Sequence, residues 1–148
     1  MADGFRLFET YYFVMPIVSS HLATHTMKDN QGNDFLNILT GEKLSSVTFV
    51  LNYLQLDFDG NGFTLYVWPV ITVGGKEHKF GESSFRDSLC LLIAQVVKQA
   101  SGEEEQHLTI TFESGDKLTV SLDPDNPVSV APEIAIFTDT NGEWYVFE

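Results

Sequence analysis

The sequence predicts a single α+β domain over residues 1–148, an antiparallel sheet of about six or seven strands built from hairpins, with one long helix packed on a face. Three observations predict it. Apolar residues alternate with polar ones on both sides of three turn segments. One apolar stripe repeats at helical spacing over residues 84 to 101. The 148 residues are 43% apolar, enough for one core and about the usual size of one domain.

In the first hairpin Leu54, Leu56 and Phe58 alternate with Gln55 and Asp57, Asp59-Gly60-Asn61-Gly62 turns, and Phe63, Leu65 and Val67 resume the alternation. Tyr66, Trp68 and Val70 load its second face, so burial on both sides is expected. The second hairpin repeats the pattern with Leu108, Ile110 and Phe112, a turn at Ser114-Gly115-Asp116, and Leu118, Val120 and Leu122. Its other face carries Thr109, Thr111, Glu113, Thr119, Ser121 and Asp123, which puts one face on a core and one in water. A third hairpin has Ile134, Ile136 and Phe137 before Asp139-Thr140-Asn141-Gly142, and Trp144 to Phe147 after it. Pro124, Pro127 and Pro132 make the preceding stretch an irregular loop, because proline removes ladder donors.

Two helices are expected. Asp34 to Leu39 reads as a short one with Phe35, Leu36 and Leu39 inward and Gly41 ending it. The long one has Ser83 or Ser84 as N-cap, the stripe Phe85, Leu89, Leu92, Ile93, Val96 and Ala100, and Gly102 just past its end. Residues 89–94 are apolar all round, so the back of this helix needs a cover, either the N-terminal segment around Phe13 to Val18 or a second copy of the chain. The expected order is β-(short α)-β-β-α-β-β-β-β.

Charge supplies the main functional hint. Net charge is −13, and residues 103–148 hold eleven carboxylates against one cation, Lys117. Such a field repels nucleic acid and anionic lipid and attracts cations or a basic protein surface. The expected partner is therefore a basic protein, with no nucleic acid and no membrane. Glu113, Asp116, Asp123, Asp125, Asp139 and Glu143 form the expected docking field, with Trp144 and Tyr145 as aromatic anchors or, alternatively, as core residues. The lone Cys90 forms no internal disulfide and, one residue from the helix stripe, reads as a packed, inert thiol. The apolar run Tyr11 to Ser19 is short and contains Pro16, which suits neither a membrane span nor a typical signal peptide, so a cytoplasmic location is expected.

Catalytic and metal patterns are incomplete. Asp57, Asp59 and Asn61 followed by Gly62 reproduce the opening of a calcium loop, but its twelfth position falls on Trp68 and the flanks alternate as strands. The turn reading is preferred there, since Asp, Asn and Gly tolerate turn geometry. His21 and His25 stand i, i+4 with no glutamate between them, in a Ser/Thr-rich stretch. No nucleophile elbow or phosphate-cradling glycine loop occurs, and no cofactor is expected.

The stretch from Leu44 to Ile71, with Tyr53-Leu54-Gln55-Leu56-Asp57-Phe58-Asp59-Gly60 and Trp68-Pro69, and Pro132-Glu133 before the last hairpin, resembles a family of small uncharacterised bacterial α+β proteins. The resemblance implies a bacterial cytosolic domain, some of whose relatives look like immunity proteins of contact-dependent toxin systems. It assigns a role to no residue. Three readings follow: a non-catalytic acidic binding module, for instance an immunity-like inhibitor of a basic toxin or nuclease; a homo-oligomeric structural or accessory protein, with a homodimer as its simplest form; and a weak metal-binding protein or small-molecule enzyme using His21, His25 or the Asp57 loop.

Overall fold

Two-residue turns organise the chain, and the computed structural model describes residues 25–26, 34–103, 106–123, 125 and 132–148. Asp59 and Gly60 take φ of 53° and 102°, the left-handed pair that matches the twist of a tight hairpin, and they join β3 (Tyr53–Phe58) to β4 (Asn61–Leu65). Gly74 and Gly75, at φ of 57° and 79°, do the same for β5 (Val70–Val73) and β6 (Lys76–His78). Between these hairpins Trp68-Pro69 breaks the run. Proline has no N–H for a ladder, and after Leu65 the chain leaves one sheet and enters the other at Val70.

The remaining strands are β1 (His25–Thr26), β2 (Ser46–Val50), β7 (Val97–Glu103), β8 (His107–Phe112), β9 (Lys117–Ser121), β10 (Ala135–Thr138) and β11 (Trp144–Phe147). They form a six-stranded sheet in the order β1-β11-β10-β4-β3-β2 and a five-stranded sheet in the order β6-β5-β9-β8-β7. Every pairing is antiparallel except that of β1 with β11.

Register explains the core. Directly opposed residues share a face, so Tyr145, Phe137, Phe63, Leu56 and Val47 form one inward row of the six-stranded sheet. Phe147, Ala135, Leu65, Leu54 and Phe49 form the next. The five-stranded sheet answers with Ala100, Ile110, Leu118 and Ile71, and with Leu108 and Val120. The buried members of both sets belong to one apolar cluster, with Phe63 and Phe137 at 4.7 Å and Phe58 edge-on to Phe63. The two sheets thus face each other as a sandwich. Their layers are joined where residues 41–44 pair with 94–97 through Gly41 N–H to Val97 O and Leu44 N–H to Gln95 O, before the chain continues into β2.

The expected α+β class is overturned: the fold is mostly β, with two short helices among the described residues and no long one. α1 spans Phe85–Cys90 and stops. Residues 91–94 turn, Ala94 takes φ of 70°, and Val97–Glu103 is a strand. A β-bulge between Val97 and Gln99 shifts the register, so that Val97 and Ala100, three apart, both point into the core. That spacing imitates a helical stripe. Ile93 is exposed instead of inward, and Cys90, at the end of α1, is exposed and not packed.

The short helix is a 3-10 turn at Asp34–Leu39 with Leu36 and Leu39 buried, and Gly41 follows at φ of 89°. Double burial of the first hairpin is also corrected, because Gln55 is exposed and Asp57 and Thr64 are half-buried on its outer face. The segment around Phe13 to Val18 lies outside the described residues.

Candidate functional site

The turns at one end of the sandwich are tied into a continuous chain of contacts. Glu113 N–H donates to Val96 O, and Val96 bridges Lys43. Lys43 N–H donates to Asp59 Oδ2 at 3.0 Å. Next to Asp59, a Cβ on Gly60 would lie 3.1 Å from Thr140 Cγ2, so the β3–β4 and β10–β11 turns touch. Thr140 N–H then donates to Asn61 Oδ1 at 3.1 Å. This end gathers Asp57, Asp59, Glu113, Asp116, Asp139 and Glu143, with Lys43, Lys76, Lys98 and Lys117 as neighbouring cations.

Several of these carboxylates also hold the turns. Asp57 Oδ1 accepts from Ser45 Oγ at 2.6 Å and from Gly60 N–H at 3.0 Å. Asp116 Oδ1 accepts from Gly74 N–H, and its Oδ2 accepts from Gln95 Nε2, both at 3.0 Å, while Ser114 Oγ bonds Gln95 Oε1. The hydrogen bond from Gln95 is the largest cause holding the Asp116 carboxyl below its ordinary value, followed by that from Gly74. Asp139 Oδ1 accepts from the N–H groups of Asn141 and Glu143 at 2.8 and 2.9 Å, closing the last hairpin. Backbone N–H groups together with Ser45 Oγ and Gln95 Nε2 satisfy these carboxylates while leaving their negative charge in place.

Asp123 and Asp125 sit elsewhere. They follow β9 beyond Ser121, which opposes His107, whereas Glu113 follows Phe112 at the other end of β8. The two ends are about 17 Å apart, from five steps of about 3.4 Å along a strand. The expected single docking field is therefore divided, and the end bearing Glu113 gains Asp57 and Asp59 from the middle of the chain.

Trp144 is 40% exposed, directly opposite Thr138 on the outer face of the six-stranded sheet. Tyr145 points the other way and stacks on Phe35 at 4.0 Å and 6°, against the core. Its hydroxyl donates to Glu143 Oε2 at 3.1 Å. Partial burial, then Glu143 and Asp139, raise that hydroxyl above its ordinary value. Trp144 is left as the accessible aromatic beside Glu143.

The metal candidates are engaged within the chain. Asp57 and Asp59 hold the bonds given above, and Asn61 is buried, donating Nδ2 to Phe58 O at 3.3 Å and accepting from Thr140. Among the described residues no three His, Cys, Asp or Glu side chains are grouped to hold an ion. His21 lies outside the described residues, and for His25 only the backbone is described, paired with Tyr145. His78 is buried with Nδ1 at 2.8 Å from Ser84 Oγ, a contact that fixes β6 to the start of α1. Sequence reasoning missed it, since His78 enters the core only through the Gly74-Gly75 turn.

Among the described residues no helix is long and apolar enough to cross a membrane. No family model matches the chain, and no curated protein or solved structure shows significant similarity to it.

Proposed function

We propose that the protein is a non-catalytic binding module that captures a basic protein partner at the end of the sandwich bearing Glu113, Asp139 and Glu143. The observation that carries this reading is the unbroken run of contacts from Glu113 through Val96, Lys43 and Asp59 to Thr140, which holds carboxylates from three separate turns on one rigid surface. Clustered like charge steers an oppositely charged partner and sets its approach rate. Trp144 supplies an exposed ring at the margin of that field. The resemblance of the 44–71 stretch to small uncharacterised bacterial proteins, some of whose relatives look like immunity proteins, supports a toxin or nuclease as the partner in a cytosolic setting, and the acidic surface disfavours nucleic acid and membrane.

The test is to capture basic proteins from a bacterial lysate on the immobilised chain and to titrate each captured protein at about 50 and 300 mM salt, where the screening length falls by about half or more. Binding should weaken at high salt. The double variant Glu113→Lys, Glu143→Lys should slow association at least about tenfold, while Asp123→Lys with Asp125→Lys should change it less. Equal effects at the two ends, or none at either, would overturn the proposal.

A further inference from the structure

Asn-Gly occurs twice in the chain, at 61–62 and at 141–142, and the fold treats the two copies in opposite ways. An asparagine followed by glycine is chemically labile. The glycine nitrogen can close a ring on the side-chain amide, and glycine, having no Cβ, does not crowd that approach. Ring closure needs a side chain free to swing and a nitrogen free to attack.

Asn61 is held on both counts. It is 3% exposed, its Nδ2 donates to Phe58 O at 3.3 Å, and its Oδ1 accepts from Thr140 N–H at 3.1 Å. Gly62 lies within β4, paired with Asp57 on one side and Thr138 on the other. Bringing the two groups together would break both side-chain bonds and open the middle of the six-stranded sheet.

Asn141 is free on both counts. It is exposed at the tip of the last hairpin, between β10 and β11. Among the described residues its side-chain amide makes one polar contact, from Nδ2 to Asp139 Oδ2 at 3.5 Å, the outer limit of a hydrogen bond. Gly142, at φ of 83°, donates its N–H to Asp139 O at 3.0 Å. Where a Cβ on Gly142 would stand, no atom of the described residues beyond its chain neighbours lies within 4 Å. That backbone bond is the one the attack must open, and exposed loop tips open locally at little cost.

We infer that Asn141 is a site of spontaneous modification, converting to aspartate and isoaspartate in the folded protein while Asn61 is preserved. The Gly142 nitrogen, its proton taken by hydroxide or a buffer base, attacks Asn141 Cγ. The N–Cγ bond forms, the Cγ–Nδ2 bond breaks, and ammonia leaves with a proton returned by solvent. Water then opens the cyclic imide at either carbonyl. Opening at Cγ leaves aspartate, and opening at the main-chain carbonyl leaves isoaspartate, with the chain now routed through Cβ and Cγ. Either product adds one negative charge beside Asp139 and Glu143. Isoaspartate also lengthens the chain between the two N–H groups that Asp139 Oδ1 accepts, so the hairpin next to the exposed Trp144 loosens. The inference stands apart from the binding reading, since no partner takes part in the reaction.

The full chain is held folded at mildly alkaline pH and sampled over weeks, then cleaved after glutamate at acid pH, where cyclisation stalls. Cleavage at Glu133 and Glu143 isolates residues 134–143, and cleavage at Glu42 and Glu77 isolates residues 43–77. Mass spectrometry should show 134–143 splitting into two products, each heavier by the exchange of an amino for a hydroxyl group. One of them should accept a methyl group from an isoaspartyl methyltransferase. Conversion of 134–143 should run at least about tenfold faster than that of 43–77, which needs a larger opening of the fold. In denaturant the two rates should converge, and Asn141→Gln should abolish the change. A 134–143 peptide that keeps its mass, or converts no faster than 43–77, overturns the inference. So does an advantage that persists in denaturant, or a change that Asn141→Gln leaves in place.

Discussion

The two sheets are alike inside and different outside. Both inward faces are rows of Phe, Leu, Ile, Val and Ala. Outside, the five-stranded sheet presents Gln99, Thr111, Lys117, Thr72 and Glu77 in one row, and Ser101, Thr109 and Thr119 in the next, which ends on the half-buried Val70. The six-stranded sheet presents Val146 and Ile136 in a row that becomes polar only at Thr64, Gln55 and Thr48, with Trp144 beside it and Tyr53 against Tyr66 at 5.8 Å. Partial burial, then Glu133 and Tyr53, raise the Tyr66 hydroxyl above its ordinary value. A sandwich needs only one apolar face per sheet. The shared interior therefore accounts for stability, and the outer surfaces distinguish the sheets.

The largest effect should test the shared interior. Phe63→Ala in one sheet and Phe112→Ala in the other, both fully buried, should each cost about 3–5 kcal/mol by cavity formation. Denaturant melts followed by fluorescence and by circular dichroism should stay coincident in both variants. Separate transitions would divide the core in two.

Smaller losses are expected at the polar ties. Asn61→Ala removes the buried side chain that accepts from the Thr140 N–H and donates to Phe58 O, loosening the contact between the β3–β4 and β10–β11 turns, and should cost about 0.5–1.5 kcal/mol in thermal melts. Asp116 ties the five-stranded sheet by a different route, through Gly74 and Gln95. Its folded value lies below the ordinary 3.8, so the unfolded state binds the proton more readily at acid pH. The contribution is present above that ordinary value and is lost as pH falls through the folded one. The Tm gap between wild type and Asp116→Asn should accordingly be open at neutral pH and narrow below about pH 4.

The smallest effects sharpen the outer-face contrast. Thr119→Glu should shift stability by less than about 0.5 kcal/mol, while Ile136→Glu, half-buried among Val146 and Thr64, should cost more, about 1 kcal/mol. Equal costs would remove the distinction between the sheets.

The central hairpins were readable because alternation and turn chemistry agree there. Leu54 to Phe58, Leu108 to Phe112 and the closing Asn141-Gly142 hairpin stand where the pattern places them, whereas the expected four-residue turn from Asp59 to Gly62 shortens to Asp59-Gly60 because Asn61 and Gly62 already pair in β4. The 3-10 turn at Asp34–Leu39 also matches, with Gly41 after it. β5 and β6 carried their own signal, Gly74-Gly75 between apolar and mixed runs, which the expectation of one long hairpin running on from Phe63 obscured. β7 was unreadable by periodicity, because its bulge replaces a spacing of two by one of three. The acidic cluster at the turn end was half legible. Counting charges along the chain finds the carboxylates, but only strand direction sends Asp123 away from Glu113 and brings Asp59 toward Thr140.

β4 obtains its second neighbour, β10, from far downstream, and the bond between Asn61 and Thr140 spans 79 residues. During synthesis the middle of the six-stranded sheet must wait, with Phe63 and Leu65 paired to β3 on one side and lacking Phe137 and Ala135 on the other, until residues 135–138 leave the ribosome. Non-local pairing of this kind slows folding. A nascent chain halted before Ala135 is for that reason a natural client for a chaperone.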